Sequence, residues 1–522
     1  MKMSREEDIK QEIKEAIQQF ANGALLQNAK VLLNTLGYES DRTLQLSPNN
    51  YEGFAEQFAV SRSNFNLDKA KTKDWQSVDI VFQITQEDIK KTYSIFDTKQ
   101  IDNKIIESYL FFALSLKGDR YTRSDLVKIT REINKLTPMP AIILFRYSNC
   151  LTISIIDRRP NKKDPSRDVL TKKISLIKDI NTEKPHHAHI KILSKFALPH
   201  LIEKYKTINT LDDLYKAFRS ALDISELNKD FYDEISAWYY YTTSTIKLPV
   251  KPEYYKDDED NIKNFTVRLI CRMIFCWFLK EKGLIDPKLL DLYNYDDSPV
   301  VLVKKTTKDF TTENSYYRGV LQNIFLSCLN SPMNVSKRKA EYLGKKYLPD
   351  DFDYRLFDKI PFLNGGLFDR LEEDNYNETI DDGPLYIPNE LFYGKHLQIG
   401  TGRNARTARG LNRILASFVF TVDESIPLEE EVALDPELLG LVFENLLAEI
   451  DPDEEVSRTA RRESGSFYTP RKIIDNMVNA SLLLYLTNYF RDKGQKGVKK
   501  KLYQLIYQNK IDEHDNTFKK IV

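Results

Sequence analysis

The segment from residue 78 to residue 156 constrains the fold of this chain most strongly, because its hydrophobic pattern changes from one period to another. Strands are predicted at residues 78–84, 108–116, 141–145 and 151–156. A helix with apolar side chains on one face is predicted at residues 124–136, and the last two strands form a hairpin across residues 147–149. The order strand–helix–strand–strand predicts an α/β domain that ends near residue 195.

Helical patterns flank this segment on both sides. Residues 1 to about 65 begin with apolar side chains at helical spacing, and Gly37 ends the second helical stretch. From about Leu211 onward the apolar density is typical of helices that pack against one another. A further helix is predicted at residues 436–450, and the acidic stretch at residues 451–455 resembles a linker.

Length and charge bound the number of domains and the kind of partner. The chain has 522 residues, which is too long for one compact domain, and 41% of them are hydrophobic, enough to fill several cores. Lys and Arg number 77, as do Asp and Glu, so the net charge is zero. A nucleic-acid surface must therefore be local, since phosphate binding depends on clustered Lys and Arg.

The remaining composition predicts a soluble cytoplasmic protein that does not enter the membrane. The apolar runs are far shorter than the roughly 20 residues that cross a bilayer, and residues 1–19 have no apolar signal-peptide core. Cys150, Cys271, Cys276 and Cys328 form no Cys-x-x-Cys pair, which favours buried reduced thiols.

Residues 465–471, with the sequence Gly-Ser-Phe-Tyr-Thr-Pro-Arg, are the most informative motif. Thr469 is placed to cap a helix with Pro470 at its first position, and an amphipathic helix follows from Ile473. Free N–H groups at a helix N-terminus, beside aromatic rings, suit a carboxylate or phosphate joined to a flat heterocycle. The alternative is an ordinary helix start after a loop.

These residues resemble motif X of the γ-class adenine-N6 DNA methyltransferases, in the form found in Eco57I-like, type IIG restriction–modification proteins. Similar stretches occur at residues 278–284, 361–368, 426–440 and 442–446. The third and fourth of them resemble the helical segment that precedes motif X, and the resemblance runs from about Val78 to the C-terminus. Motif X helps to hold the methionine end of S-adenosylmethionine, so the resemblance implies cofactor contacts for Phe467, Tyr468, Thr469 and Pro470.

The chain departs from the family after motif X. The sequence contains neither the cofactor loop Asp-Pro-x-x-Gly-x-Gly nor the catalytic loop Asn-Pro-Pro-Tyr, which binds and stacks on the flipped adenine. We therefore expect that this polypeptide alone does not methylate DNA and has no catalytic residue for methyl transfer. It resembles the N-terminal half of a larger enzyme, either truncated or split. In the split form, a separate chain carries the methyltransferase core and the target recognition domain.

The second candidate site lies in the N-terminal α/β domain. Type IIG proteins commonly carry a PD-(D/E)xK nuclease there, with Mg²⁺ held by carboxylates from adjacent strands and a lysine beside the attacking water. Lys117 follows a strong strand, but Ser115 stands where the second acid belongs. Asp79 and Asp97 are the candidate first acids, and Glu107 is a compensating one. Mg²⁺ is expected only if this nuclease is active; the alternatives are a degenerate nuclease-like or DNA-positioning domain and an ordinary surface lysine.

Short basic clusters are the third indication of a DNA partner. They are Lys117, Arg120, Arg123 and Lys128; residues 158–163; Arg403, Arg406 and Arg409; and Arg458, Arg461 and Arg462. Such loops can contact phosphates without reading sequence, although each could equally be solvated surface charge. A metal site is not predicted at the histidines of the sequence Pro-His-His-Ala-His, residues 185–189.

The sequence thus predicts an α/β nuclease-like or DNA-positioning domain at residues 1–200 and a mainly helical domain at residues 205–450. Residues 455–522 are predicted to begin a Rossmann-like methyltransferase domain. The predicted function is the N-terminal part of a restriction–modification enzyme that methylates adenine N6 with S-adenosylmethionine, with or without coupled DNA cleavage. The alternative is a non-catalytic DNA- or partner-binding scaffold of a split restriction–modification or phage-defence system.

Overall fold

The computed structural model describes residues 2–90, 108–137, 139–157, 173–206, 208–248, 257–290, 303, 313–332, 342–363, 366–369, 385–399, 406–422, 429–434, 436–437, 440, 471–493 and 498–508. The chain divides into two compact units, Met1–Val442 and Phe443–Val522.

Helices α1 to α15 span Lys2–Gln18, Leu25–Thr35, Tyr51–Gln57, Gln86–Lys90, Arg123–Lys135, His187–Phe196, Leu198–Tyr205, Leu211–Ala221, Ile224–Thr245, Asp258–Glu281, Arg355–Asp358, Glu390–Tyr393, Leu411–Ala416, Arg471–Asp492 and Val498–Gln508. Strands β1 to β8 span Trp75–Ile84, Tyr109–Leu116, Ala141–Tyr147, Cys150–Asp157, Lys173–Asn181, Leu397–Ile399, Arg406–Ala408 and Glu429–Glu431. Two stretches between α10 and α11, Tyr317–Leu321 and Asn323–Leu329, have the wider turn of a π-helix.

A mixed six-stranded sheet, in the order β1-β2-β3-β4-β5-β8, forms the centre of the first unit. β1 and β2 are antiparallel, and α5 crosses from β2 to the parallel strand β3. β3 and β4 form the predicted hairpin, with Tyr147 opposite Cys150. The four predicted strands and the intervening helix are confirmed within a few residues, and the mixed α/β class with them.

Both faces of the sheet are buried, which explains why its strands are continuous apolar runs. Phe111 and Ala113 of β2 face a core formed with α1, α2 and α6 to α8. Phe112 and Leu114 face the opposite core, formed with α3 and α5. A capping box between Thr122 and Asp125 fixes the start of α5. Helices α6 to α8 therefore belong to the same core as the sheet.

The segment before motif X corrects one expectation. Residues 426–440 were expected to be helical, yet Glu429–Glu431 form edge strand β8, which runs parallel to β5 beside Ile174 to Leu176. Glutamate favours helices, but here tertiary pairing overrides that propensity. The Glu429 carboxylate accepts a hydrogen bond from Arg131 on α5 at 2.8 Å, and that of Glu431 accepts one from Thr421 at 3.1 Å. The predicted helix at residues 436–450 lies almost entirely outside the described residues.

The two longest helices of the first unit, α9 and α10, follow the sheet strands β1 to β5 in the chain. Asp223 and Asp257 cap α9 and α10 with their side chains. Trp238 of α9 is fully buried and its Nε1 donates to the Leu391 carbonyl at 2.6 Å, so the aromatic stripe of α9 contributes to a helical core. None of the helices in the described parts of the chain is long and apolar enough to cross a bilayer.

The second unit is described by α14 and α15, whose contact is a small core of Phe490, Val498 and Leu502. A helix was expected from Ile473 onward, and α14 confirms it. Its expected amphipathic face is not buried, however: Ile473, Ile474, Met477 and Val478 are 49%, 44%, 62% and 50% exposed. The described part of α15 packs instead against the turns of α14 around Phe490.

Candidate active site

Asp79 and Ser115 lie on the same face of the central sheet. Asp79 of β1 pairs with Ala113 of β2, and Ser115 lies two residues further along β2, so the alternation of side chains puts all three on one face. This is the face that packs against α1 and α2. Asp79, one of the two candidate first acids, therefore lies on the same face as Ser115, and a role of either residue in a nuclease stays a prediction.

Lys117 follows directly after β2. Its side chain is exposed, and its Nζ donates to the Lys73 carbonyl at 3.2 Å. Its backbone N–H donates to the Asp74 carbonyl at 2.9 Å, which fixes the chain just beyond the strand. Within the described residues, the Lys117 side chain therefore contacts the turn just before β1 rather than Asp79. Asp97 and Glu107 lie outside the described residues.

Arg146 of β3 is a member of this site that the sequence pattern does not indicate. It is opposite Ser115 in the parallel β2–β3 pair, and its Nη1 donates to the carbonyl of Gly23, between α1 and α2, at 3.1 Å. Burial raises the pKa of the half-buried Asp79 carboxyl above its usual value, whereas an Asn49 hydrogen bond and the Arg146 charge lower it. Burial lowers the pKa of Arg146, and Asp79 opposes that shift.

A second set of contacts holds the end of β3. The Tyr147 hydroxyl donates to Asp179 at 2.6 Å and lies 2.7 Å from the Thr152 hydroxyl. Burial is the main reason why the pKa of Tyr147 is raised, so the phenol remains a donor. Asp179 has a left-handed backbone (φ 54°), and its N–H donates to Thr152. This network anchors the residue next to Arg146.

The described residues of this site do not by themselves provide the ligands of a Mg²⁺ ion. Mg²⁺ prefers several oxygen ligands with carboxylates among them. Here Asp79 faces the positive charge of Arg146, and Ser115 is buried with its hydroxyl donating to Gln76 at 3.2 Å. Across the described ranges no group of three or more His, Cys, Asp or Glu side chains could hold a metal. Arg146 thus provides the charge that a cation would bring.

The predicted basic clusters differ in what they can offer to a phosphate. Arg120 and Lys128 are exposed near the start of α5, whereas Arg123 is buried. Arg409 forms an ion pair with Glu234 and donates to Ser417, so its guanidinium is occupied. Residues 158–163, Arg403 and the cluster at residues 458–462 lie outside the described residues. The first cluster, beside Lys117, therefore remains the best candidate.

The histidines before α6 have structural roles. His186 caps α6 by accepting from the Ala188 N–H at 3.2 Å, and His189 is buried with its ring centroid 6.1 Å from that of His186. Burial is the main cause that lowers the pKa of His189 to about 4 and that of His186 to about 3. Both rings are therefore neutral at physiological pH.

The proposed cofactor residues Phe467, Tyr468, Thr469 and Pro470 lie outside the described residues. The structure begins again at Arg471, the first residue of α14. The cap at Thr469 and the cofactor contact both stay predictions.

Comparisons with known proteins give one relative. A protein of Methanocaldococcus jannaschii, named as a type II restriction enzyme and methyltransferase, is 26% identical to this chain over 233 residues. The match covers 44% of this chain and 15% of that protein. No family model matches the chain, and no solved structure matches it. The similarity supports a relation to restriction–modification proteins.

Proposed function

We propose that this chain is the N-terminal part of a restriction–modification enzyme and that its first unit contacts the DNA backbone. The parent enzyme would transfer a methyl group from S-adenosylmethionine to adenine N6. Two independent observations support this assignment: the similarity to the archaeal restriction enzyme and methyltransferase, and the motif at residues 465–471. Phe467, Tyr468, Thr469 and Pro470 would contact the cofactor, together with segments that these 522 residues do not contain.

The proposal that the N-terminal domain contacts DNA rests on one observation, the position of Arg146 beside Asp79 on the sheet. A nuclease-like site would use two acids on neighbouring strands, and the sheet has Asp79 and Ser115 at those places. With Ser115 in place of a second acid and the Arg146 guanidinium on the neighbouring strand, the site suits a phosphate rather than a metal ion. We therefore assign to residues 1–200 a degenerate nuclease-like fold that positions DNA, with Arg146, Lys117 and Arg120 as phosphate contacts.

Replacing Arg146 with glutamine should weaken the binding of duplex DNA by about three- to tenfold and reduce the salt slope by about one, because each phosphate contact releases about one counterion. Lys117→Gln should have a similar effect, and the double variant should be weaker than either. Fluorescence anisotropy of a labelled duplex, titrated at several salt concentrations, measures both quantities.

The matched control is Arg355→Gln, which removes an exposed arginine that pairs with Asp353 far along the chain. It should leave affinity and salt slope unchanged. If Arg355→Gln weakened binding as much as Arg146→Gln, the effect would be one of general charge, and the assignment of the site would be wrong.

A further inference from the structure

A cleft in the first unit lies between α8 and the part of the sheet where β4 ends and β5 begins. Its open space is about 420 Å³, which is in the range of small-molecule sites. The Arg146 site is elsewhere on the sheet, because Arg146 pairs with Leu151 near the start of β4. The side chains that give the cleft its chemistry are Tyr109, Lys173, Ser175, Tyr215, Phe218 and Arg219.

The floor of the cleft is apolar and aromatic. Tyr109 of β2 and Phe218 of α8 are buried, and their ring centroids are 5.4 Å apart with an angle of 61° between the ring planes. Tyr215 of α8 and Ile155 of β4 are also buried and line the same space. Walls of this kind bind flat heterocycles, with a few polar groups that fix the orientation of the ligand.

Two cations line the more exposed part of the cleft. Arg219 of α8 is exposed, and Lys173 at the start of β5 is half-buried. Within the described residues the Arg219 guanidinium has no ion pair, whereas Lys216 on the same helix pairs with Asp212 at 3.0 Å. None of the described lining side chains is acidic. This part of the cleft therefore favours an anion, and a guanidinium binds a phosphate through two parallel hydrogen bonds.

Ser175 gives the cleft a polar group between the cations and the floor. It lies opposite Ile155 in the β4–β5 pair and two residues after Lys173, so the alternation of side chains puts Lys173 and Ser175 on one face. Ser175 is buried, and its hydroxyl makes no hydrogen bond to a described residue. Because buried hydroxyls normally have a partner, this hydroxyl is available to a ligand in the cleft.

We propose that this cleft binds a nucleoside 5′-phosphate, either as the free nucleotide or as the phosphorylated 5′ end of a DNA strand. The base lies against the aromatic floor, the Ser175 hydroxyl bonds to the base or the sugar, and Arg219 and Lys173 hold the phosphate. An inorganic anion would leave the apolar floor without a ligand. The cleft shares no residue with the Arg146 site, so the failure of either assignment leaves the other intact.

The test is isothermal titration calorimetry of the full chain with deoxyadenosine 5′-monophosphate as the probe. Arg219→Gln should bind the monophosphate at least about tenfold more weakly, because charge-assisted hydrogen bonds to the phosphate are lost. Ser175→Ala should bind it about three- to tenfold more weakly, as expected for one neutral hydrogen bond. The matched control is Lys216→Gln, which removes a cation of α8 that does not line the cleft. This control and Arg146→Gln should leave the affinity unchanged.

Fragments of the probe separate the two parts of the cleft. Deoxyadenosine lacks the phosphate and inorganic phosphate lacks the base, so each should bind at least about tenfold more weakly than the monophosphate. Competition by an oligothymidylate with a 5′-phosphate, but not by its 5′-hydroxyl form, would identify a DNA end as the source of the ligand. Binding of the monophosphate without such competition would identify the free nucleotide.

Three results would overturn the proposal. They are an affinity for inorganic phosphate equal to that for the monophosphate, equal losses of affinity in Lys216→Gln and Arg219→Gln, and no binding of the monophosphate at millimolar concentration.

Discussion

Replacing Arg272 with methionine should lower the free energy of unfolding of the first unit by about 3 kcal/mol, because two hydrogen bonds from a charged, buried group are lost. Arg272 of α10 is 2% exposed. Its Nε donates to the Leu367 carbonyl at 2.8 Å, its Nη2 donates to the Asp369 carbonyl at 3.0 Å, and its guanidinium lies 5.5 Å from the Phe325 ring centroid. The arginine thus ties the loop after residue 361 to α10. Urea unfolding followed by circular dichroism measures the change.

Lys263→Met on the same helix is the matched control. Lys263 pairs with Glu259 at 2.7 Å, and the glutamate is 75% exposed, so this pair should contribute less than about 1 kcal/mol. Comparable losses for the two variants would show that Arg272 does not anchor the loop. Arg272→Lys should remain well below the stability of the unchanged chain, since an ammonium cannot reproduce two divergent guanidinium bonds.

The first unit should lose about 3 kcal/mol of stability through His189 as the pH falls from 6.5 toward 4. Burial lowers the pKa of His189 to about 4 in the folded state, below the ordinary value of 6.5, although Asp179 and a Lys178 backbone hydrogen bond oppose the shift. The folded state therefore binds fewer protons than the unfolded state in this interval. The contribution of neutral His189 to the free energy of unfolding is fully present above pH 6.5. It is lost as the pH falls toward 4, because protons bind preferentially to the unfolded chain.

The measurement is the free energy of unfolding at several pH values for the unchanged chain and for His189→Gln. The variant should be less stable near pH 7, where a cavity costs it packing, but its stability should fall less steeply on acidification. His396 is exposed, so His396→Gln should keep the original slope. The same slope in His189→Gln as in the unchanged chain would contradict the role of His189.

The strands that could be predicted from sequence are those whose apolar runs are buried on both faces. Strand β2 and the β3–β4 hairpin follow from such runs because local pattern and tertiary burial agree there. The edge strand β8 could not be predicted, since a run of three glutamates has no strand pattern. In the folded chain, Arg131 and Thr421 donate hydrogen bonds to the carboxylates of Glu429 and Glu431, which stabilises the strand.

The candidate nuclease residues were chosen by their resemblance to the PD-(D/E)xK pattern, so the prediction is restricted to acids and a lysine at the positions of that pattern. Asp79 and Ser115 lie on one face of the paired strands β1 and β2, and that pairing follows from the two apolar runs. Arg146 could not be predicted, because a single arginine near the end of an apolar strand forms no recognisable motif with its sequence neighbours. The register of β2 and β3 places Arg146 opposite Ser115, and there its charge lowers the pKa of the Asp79 carboxyl.

The most direct test of the central claim is a plasmid nicking assay combined with duplex binding, each with Mg²⁺ and with EDTA. We expect duplex binding to persist in EDTA and to depend on Arg146. We also expect no Mg²⁺-dependent nicking activity that the Lys117→Ala or Asp79→Asn variant would abolish. Asp97→Ala is included because that acid lies outside the described residues. Mg²⁺-dependent nicking that disappears in Lys117→Ala, Asp79→Asn or Asp97→Ala would contradict the account and establish an active nuclease.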